Sequence, residues 1–586
     1  MSATIVGRRR ESVVTVGRWN ADDGPLAFVP GPLSECHVGE RTICLLEGAL
    51  YEAPASAQAL AEAYERDGEG VLPGLRGEFW ALLWDRARAD GVVVCDQLGV
   101  RSPYWTCEDG VIHCAGDVPE LLAARRRRPA PDPLAIAHWL TVSAAPDGAT
   151  LYEGVRRLEA GHVLELGTGH TRRYWSPAYE APLANSRSDA VAGVRAGLER
   201  AVHRRLVDAT ASGVLLSGGL DSGSVAALAR CRAYSVTFPH HPDADESSLI
   251  DASGLAGVRV AVHRPGVLAG AMDYLDAWGL PPTSPNLFFW APLFGQARRD
   301  GITVMLDGEG GDEVFGFSPY LLADRLRAGR LAAAVELAGR WPGGPGYVRD
   351  RLLRYGVRGA LPAGAHLLAR RFRGLGSYAP PWLDRRLAAR WLESSRAAFD
   401  WKGLDGPRWW AYLVSGITRG IGPAAVYEQA RRRAAAAGIE SRHPLVDVDL
   451  IELVLSLDPE LAFDPRHSRP LLREAMAGTL PEPVRLRSGK SYFDSVFHRA
   501  LAEIDLPLAR RLLDPTRAEL AAYVNLVALT RQLFDVAARP TESWALTLWR
   551  LVTAECWLRQ QSDPDVCTKL RVEATPAEVS IELVGA

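Results

Sequence analysis

Up to about residue 175, short apolar runs recur at Thr42–Leu46, Trp80–Trp84, Val92–Val94 and His162–Leu166. Gly, Pro and Asp turns separate them. Runs of this length between breakers predict the strands of an all-β or α+β unit. The stretch Ser176–Ser188 (SPAYEAPLANSRS) is polar and carries prolines, which predicts a linker. The period then changes. Val191, Val194, Leu198 and Val202 recur at helical spacing. A buried strand is expected at Gly213–Leu216, then a glycine turn, then a helix through Ser224–Arg230. Further strands fit Ala233–Phe238, Val258–Val262 and Ile302–Leu306. Strands alternating with helices predict a doubly wound parallel sheet. From about Pro319 to Trp557 the chain is rich in Ala, Leu and Arg and reads as helical. Beyond Gln561 it is polar and reads as a disordered tail. The expected division is 1–178, 186–561 and a tail at 562–586.

Composition narrows the class without naming a function. The 586 residues are 47% hydrophobic and 23% charged, ordinary for a globular protein with a full core. A net charge of −3 gives no global attraction to nucleic acid. No apolar run approaches the roughly 20 residues of a membrane span. The start, MSATIVGRRRES, has no apolar core of a signal peptide. The eight cysteines form no CxxC pair, so a structural zinc is not expected and they read as reduced thiols of a cytoplasmic protein. The basic runs Arg125–Arg128 and Arg431–Arg433 read as solvated faces, with contact to phosphate or an acidic peptide as the alternative. The lysines are Lys402, Lys490 and Lys569, so each is of interest against an arginine-rich background.

The chemistry concentrates in Gly213-Val-Leu-Leu-Ser217-Gly218-Gly219-Leu220-Asp221-Ser222. An apolar strand enters a Ser-Gly-Gly turn and a helix follows. Glycines let backbone approach a phosphate closely. The N–H groups and dipole of the helix start attract an anion. Ser217 and Ser222 can donate hydroxyl hydrogen bonds, and Asp221 can hold Mg²⁺ against phosphate. The GxxxxGK[ST] of a Walker loop is absent.

This string resembles the pyrophosphate loop of the ATP pyrophosphatase superfamily, and the rest of the chain resembles its asparagine synthetase-like family. Leu306-Asp-Gly-Glu-Gly-Gly-Asp312-Glu313-Val-Phe-Gly316, Glu440-Ser-Arg442-His-Pro444-Leu-Val-Asp447, Arg469-Pro-Leu-Leu-Arg473-Glu-Ala and Arg487-Ser-Gly-Lys490-Ser-Tyr-Phe493 look like that family's later signatures, in family order. The resemblance implies an N-terminal Ntn-hydrolase-like α+β glutaminase-type domain followed by an α/β synthetase domain with many helices. It implies ATP and Mg²⁺ as cofactors. Asp221 and Asp312 would hold the metal. Leu216, Ser217, Gly218, Gly219, Asp221, Ser222, Val236, Asp307 and Gly308 would line the nucleotide site, with Asp307 departing from the usual serine. Lys490 would neutralise the adenylate, and Glu440 would hold or deprotonate the amine.

The first domain resembles the family's glutaminase at Arg76-Gly77-Glu-Phe79, Asp96-Gln-Leu-Gly99-Val-Arg101-Ser-Pro103-Tyr104 and Arg157-Leu-Glu-Ala-Gly161-His162. It departs where glutamine would be hydrolysed. Position 2 is Ser2 in place of the nucleophilic cysteine, and a hydroxyl is the weaker nucleophile. The oxyanion segment N-G-E-I-Y-N reads Glu47-Gly48-Ala-Leu-Tyr51-Glu52, which puts a carboxylate where a donor belongs. A degenerate glutaminase is expected, kept as support or as a substrate-docking surface. The amine must then come from the substrate, as in the β-lactam synthetase and lasso peptide cyclase branches. Glu309 replaces the tyrosine of the first branch, and the Trp- and Arg-rich segment Leu548–Arg559 looks like the second. The resemblance therefore implies macrolactam formation on a linear core peptide, with a leader peptidase and a leader-recognition protein as partners and with Glu309 at the catalytic site. A groove beside the ATP site, walled by the helical region and the first domain, is expected. Ammonia-dependent asparagine synthesis and a non-catalytic scaffold are the alternatives.

Overall fold

The computed structural model describes residues 13–16, 26–31, 34–143, 145–182, 186–207, 209, 211–341, 346–365, 379–419, 421–489, 491, 493–535 and 541–584. The strands of the first domain are β1 (Val13–Val16), β2 (Leu26–Val29), β3 (Ser34–Val38), β4 (Thr42–Leu50), β5 (Gly77–Asp85), β6 (Asp90–Cys95), β7 (Tyr104–Glu108), β8 (Val111–Ala115), β9 (Arg156–Arg157), β10 (His162–Glu165) and β11 (Thr171–Arg173). They form two sheets, ordered β2-β1-β8-β7-β9 and β11-β10-β6-β5-β4-β3. Side chains alternate across a strand. On β5, Trp80, Leu82 and Trp84 therefore pack between the sheets against Val14, Ile112 and Cys114. Phe79, Ala81 and Leu83 face outward, onto Leu60 and Ala61 of the helix Ala57–Asp67. With both faces covered, the strand reads as one continuous apolar run. Strands with a covering helix make this the α+β unit expected of the first domain.

The second domain begins at the helix Arg187–Arg204, whose first turn is closed by a capping box between Ser186 and Asp189. Its strands are β12 (Ser212–Leu215), β13 (Arg232–Thr237), β14 (Gly257–Arg264), β15 (Val304–Leu306), β16 (Glu440–Arg442) and β17 (Glu578–Val584). The sheet order is β16-β15-β12-β13-β14-β17, and all pairings are parallel except β14 with β17. The chain winds outward from β12 to β14, then returns to the other side of β12 as β15. The winding direction therefore reverses between β12 and β15. A crevice opens beyond the carboxyl ends of strands at such a reversal, and ligands bind there. The loops after β12 and β15 are the Ser-Gly-Gly and Asp-Gly-Glu-Gly-Gly segments.

Two expectations are corrected. The tail at 562–586 is not a disordered extension: Val566–Glu573 is helical and β17 covers the edge of β14, pairing Val258 with Leu583 and Val260 with Ile581. The ladder supplies the hydrogen bonds of an otherwise open edge, and Val579, Ile581 and Leu583 alternate with polar residues as a strand does. Arg431–Arg433 is not a solvated face either. All three side chains are buried in the helix Ile421–Ala435, where acidic partners meet them.

The two domains share one hydrophobic core. Tyr104, Val118, Leu121 and Ala135 of the first domain pack in the same cluster as Val267, Leu268, Trp549 and Trp557 of the second. Polar contacts cross the same boundary. The Tyr152 hydroxyl donates to Gly279 O at 2.9 Å, and the Trp139 indole donates to Arg550 O at 3.2 Å. His138, on the helix Pro133–Leu140, has Nδ1 2.7 Å from Ser143 Oγ and Nε2 2.8 Å from Ser394 Oγ, the latter in the helix Arg385–Ser394. Among the described residues no helix is long and apolar enough to cross a membrane.

Burial holds the His138 pKa down at about 4, against 6.5 for the free side chain. The unfolded chain therefore takes up a proton, and the folded one does not, as pH falls from about 6.5 to about 4. The contribution of neutral His138 is complete above that window and is lost through it. His138→Gln should accordingly show its largest loss of Tm relative to wild type above pH 6.5. That gap should shrink by pH 4, as measured by circular-dichroism melts across the range.

Candidate active site

At the switch point lies a cavity of about 450 Å³. Its lining joins Leu216, Ser217, Gly219, Asp221 and Ser222 after β12, Val236 at the end of β13, and Asp307, Gly308 and Glu309 after β15. The helix Leu220–Ala229 starts at this mouth with Gly219 as its cap. Its first-turn N–H groups suit an anion. Ser217 Oγ and Ser222 Oγ lie 2.8 Å apart, and the Gly219 N–H donates to Ser217 Oγ at 3.2 Å. Gly308 lies directly on this helix start: a Cβ there would fall 2.4 Å from Ser222 N. Gly218 belongs to the loop without lining the cavity itself, and its N–H donates to Glu246, which does, at 2.9 Å.

The cavity is polarised. At one end Phe238, Phe289, Trp290 and Val236 form an apolar slot. At the other, Arg469 contacts Asp221 and Arg487 reaches Gly218 O of the loop after β12, with Arg473 also in the lining. Such a gradient suits a nucleobase at one end and phosphates at the other. Glu246 orients the cations by pairing with Arg487, which also reaches Gly218 O at 3.2 Å. Arg469 takes up a left-handed backbone conformation (φ 56°) before Pro470. A non-glycine residue held there signals local strain of the kind found at functional sites. Its guanidinium contacts Asp221 and lies 2.8 Å from Asp312.

Asp221 and Asp312 thus converge on one cation, although they leave different strand ends. Gly311 permits this, since a Cβ there would fall 2.4 Å from Asp221 Cγ. Two hard carboxylates beside a phosphate-sized space fit Mg²⁺, which takes few protein ligands and completes its shell from phosphate and water. Among the described residues no group of three metal-ligating side chains occurs.

Asp307 is buried in the cavity floor, and that burial has a cost that cations offset. His443 Nδ1 is 2.8 Å away and Arg433 Nη2 is 3.9 Å away. Burial opposes the imidazolium of His443, but the Asp307 carboxylate outweighs it and holds the His443 pKa above its ordinary value. Arg433 also pairs with Glu309 at 2.9 Å and stacks over Trp290 at 4.3 Å. Glu309 therefore stands in the cavity as an oriented carboxylate.

Glu440, expected at the amine, lies apart from this cavity. It pairs with Val304 at the amino-terminal end of β16, whereas the cavity opens at the carboxyl ends of the strands. It does not line the cavity, and its carboxylate accepts from Arg442 Nε at 3.0 Å. The alternation along a short strand turns it with Arg442 toward Tyr51 of the first domain. Lys490 and Ser2 lie outside the described residues. His443, Glu246, Phe289 and Trp290 escape the sequence reading. The aromatic run Leu287-Phe-Phe-Trp290 is visible there but carries no mark of a base slot, and Glu246 has no motif.

In the first domain, Glu47 is buried, with Oε1 3.8 Å from Arg101 Nη1. A buried ion pair thus occupies the segment where the resemblance puts an oxyanion donor. All eight cysteines are free thiols.

The chain is similar in sequence to known proteins. Residues 193–559 match the asparagine synthase family model, and residues 45–175 match a glutamine amidotransferase domain. The first match covers more than half of the chain, so the protein belongs to the asparagine synthase family. Similar relatives include a putative glutamine-hydrolysing asparagine synthetase of Mycobacterium bovis, 29% identical over 46% of this chain and 44% of that protein. Another is glutamine-hydrolysing asparagine synthetase 1 of Bacillus subtilis, 20% identical over 87% of this chain and 82% of that one. A third is amidase chry2 of Gibberella zeae, 27% identical over 45% and 43%. The matched stretch spans less than half the length of the mycobacterial and fungal relatives.

Gly308→Ala should weaken ATP binding at least about tenfold, because the new methyl displaces the Ser222 amide. Titration with ATP checks this, and unchanged affinity would mean that the two loops can part without loss. Asp221→Ala should abolish pyrophosphate release while the protein still melts cooperatively.

Proposed function

We propose that this protein is an ATP-dependent amide-forming ligase that closes a macrolactam ring in a linear peptide. The observation that carries this reading is a second cavity of about 700 Å³ beside the first. Both cavities are lined by Thr283. Tyr104, His138, Trp139 and Arg173 of the first domain wall the second cavity on one side. Tyr274, Trp401, Arg419 and Arg550 of the helical region wall it on the other. Aspartate and ammonia would leave most of such a space empty, whereas part of a folded peptide fills it.

In this reading an Asp or Glu side-chain carboxylate of the peptide attacks the α-phosphate of ATP. The bond to the β-phosphate oxygen breaks and pyrophosphate leaves. Arg469, Arg473 and Arg487 surround the position of that leaving group, and Lys490 is assigned the same charge by family resemblance. Mg²⁺ held by Asp221 and Asp312 would neutralise phosphate charge. The peptide's N-terminal amine then attacks the acyl carbon, loses a proton, and expels AMP as the isopeptide bond forms. Holding the peptide folded in the second cavity keeps amine and acyl group close and lowers the entropic barrier.

The Glu47–Arg101 pair supports a first domain that no longer hydrolyses glutamine. That leaves the amine to the substrate. A leader peptidase and a leader-recognition protein would deliver the linear peptide. The competing reading is an ammonia-dependent asparagine synthetase, favoured by the names of several relatives.

Pyrophosphate release should be measured with ATP and Mg²⁺ against two substrates, with product masses recorded. The linear peptide encoded beside the gene should turn over to a product lighter by one water. Turnover with aspartate plus ammonia instead, and none with the peptide, would replace this reading with the competing one.

A further inference from the structure

The second cavity contains a buried cation that the proposed chemistry leaves unused. Arg550 sits on the long C-terminal helix Glu542–Ser562 and lines this cavity. It is 6% exposed. Its Nε has no hydrogen-bond partner, and among the described residues no carboxylate forms an ion pair with the guanidinium. Burial alone, with no opposing acid, brings its pKa down to about 10. A buried charge without a counter-ion is costly, and one in a well-packed wall is rarely kept without an anion to meet it.

The cavity's other arginines are paired or more exposed. Arg432 pairs with Asp117 and Glu428. Arg173 of the first domain faces Arg419 of the helical region, with Glu159 near the first and Asp400 near the second. Arg157 and Asp147 add one charge of each sign. Among the cavity's described arginines, Arg550 is the buried one that forms no ion pair.

Its geometry is also prepared. The guanidinium lies 3.9 Å over the Trp139 ring, and the Trp139 indole donates to the backbone carbonyl of Arg550. Stacking fixes the plane of the fork, and a fixed fork reads a carboxylate by two parallel hydrogen bonds. Trp139 belongs to the first domain and Arg550 to the second, so the seat exists only when both are docked.

We infer that the Arg550–Trp139 pair is a carboxylate-binding site of the second cavity, which holds an acidic group of the substrate other than the one activated on ATP. The inference rests on the peptide reading for the identity of its ligand. That group is either the chain-terminal carboxylate or an acidic side chain. Binding it would anchor the peptide away from the reacting centre and direct its free end into the cavity. It would also give the retained first domain a part in substrate selection.

The test needs no turnover, so it fails or succeeds apart from the macrolactam assignment. The full chain is titrated calorimetrically, without nucleotide, with N-acetylphenylalanine, N-acetylglutamic acid α-amide and the neutral N-acetylphenylalaninamide. Wild type should bind at least one acid more tightly than the neutral amide. Arg550→Met should lose about tenfold or more for that acid, as expected for a charge-assisted hydrogen bond, and nothing for the amide. Arg550→Lys, which keeps the charge but not the fork, should fall between. Dependence confined to the phenylalanine acid identifies a chain terminus, and dependence confined to the glutamic acid derivative identifies a side chain. Equal binding of acids and amide by wild type would overturn the assignment, as would wild-type affinity for the acid in Arg550→Met. Melts of both variants check the fold.

Discussion

A buried ion pair at the domain boundary organises the rest of the molecule. Asp117 is fully buried in the first domain, and Arg432 is 1% exposed on the helix Ile421–Ala435 of the second. Arg431 reaches the same carboxylate at 2.8 Å. Tyr104 and Tyr274 hydroxyls and the Trp278 ring complete the surroundings of Arg432. Losing one partner of such a pair costs about 3–5 kcal/mol, because the other is left charged and dry. The next residue along the helix, Arg433, turns to Glu309 and Asp307 in the switch-point cavity. One helix thus clamps the first domain with two arginines and orients two carboxylates of the nucleotide site with the third.

This clamp explains why a first domain with an ion pair in its own glutaminase segment persists in the fold. Its helices and loops complete the shared core, and its residues wall half of the second cavity. Removing it would expose the apolar faces of Trp549 and Trp557 and would dissolve the seat of Arg550. Charges at the neighbouring contact between Arg205, Glu78 and Asp447 follow the same rule, each buried and each paired. The polar boundary gives the docking a single register, and the apolar core supplies most of its driving force.

Asp307 illustrates how a single change propagates. A serine at this position would need only hydrogen bonds, but a buried carboxylate requires cations. His443 and Arg433 supply them from two separate segments of chain. His443 occupies a variable position of a motif whose fixed positions drew the functional reading, so its partnership could not be inferred from the motif.

Elements written as local pattern were legible in the sequence. The glycine turn after β12, the alternation of strands and helices, and the convergence of the loops after β12 and β15 follow from nearest-neighbour chemistry and the switch-point rule. So did the apolar strands of the first domain, whose burial on both faces leaves continuous runs. Tertiary structure alone decided the rest, because those outcomes depend on which distant segments meet. Residues 578–584, which alternate polar and apolar side chains, became an edge strand because β14 had an open edge to pair. Three arginines went inside because Asp117, Glu309 and Asp307 were there to meet them. Glu440 turned away from the cavity because a three-residue strand, at its register with β15, left it no other side. The sequence determines which residues could do chemistry here; the distances across the fold determine which of them face one another, since hydrogen bonds and ion-pair contacts form only within a few ångströms.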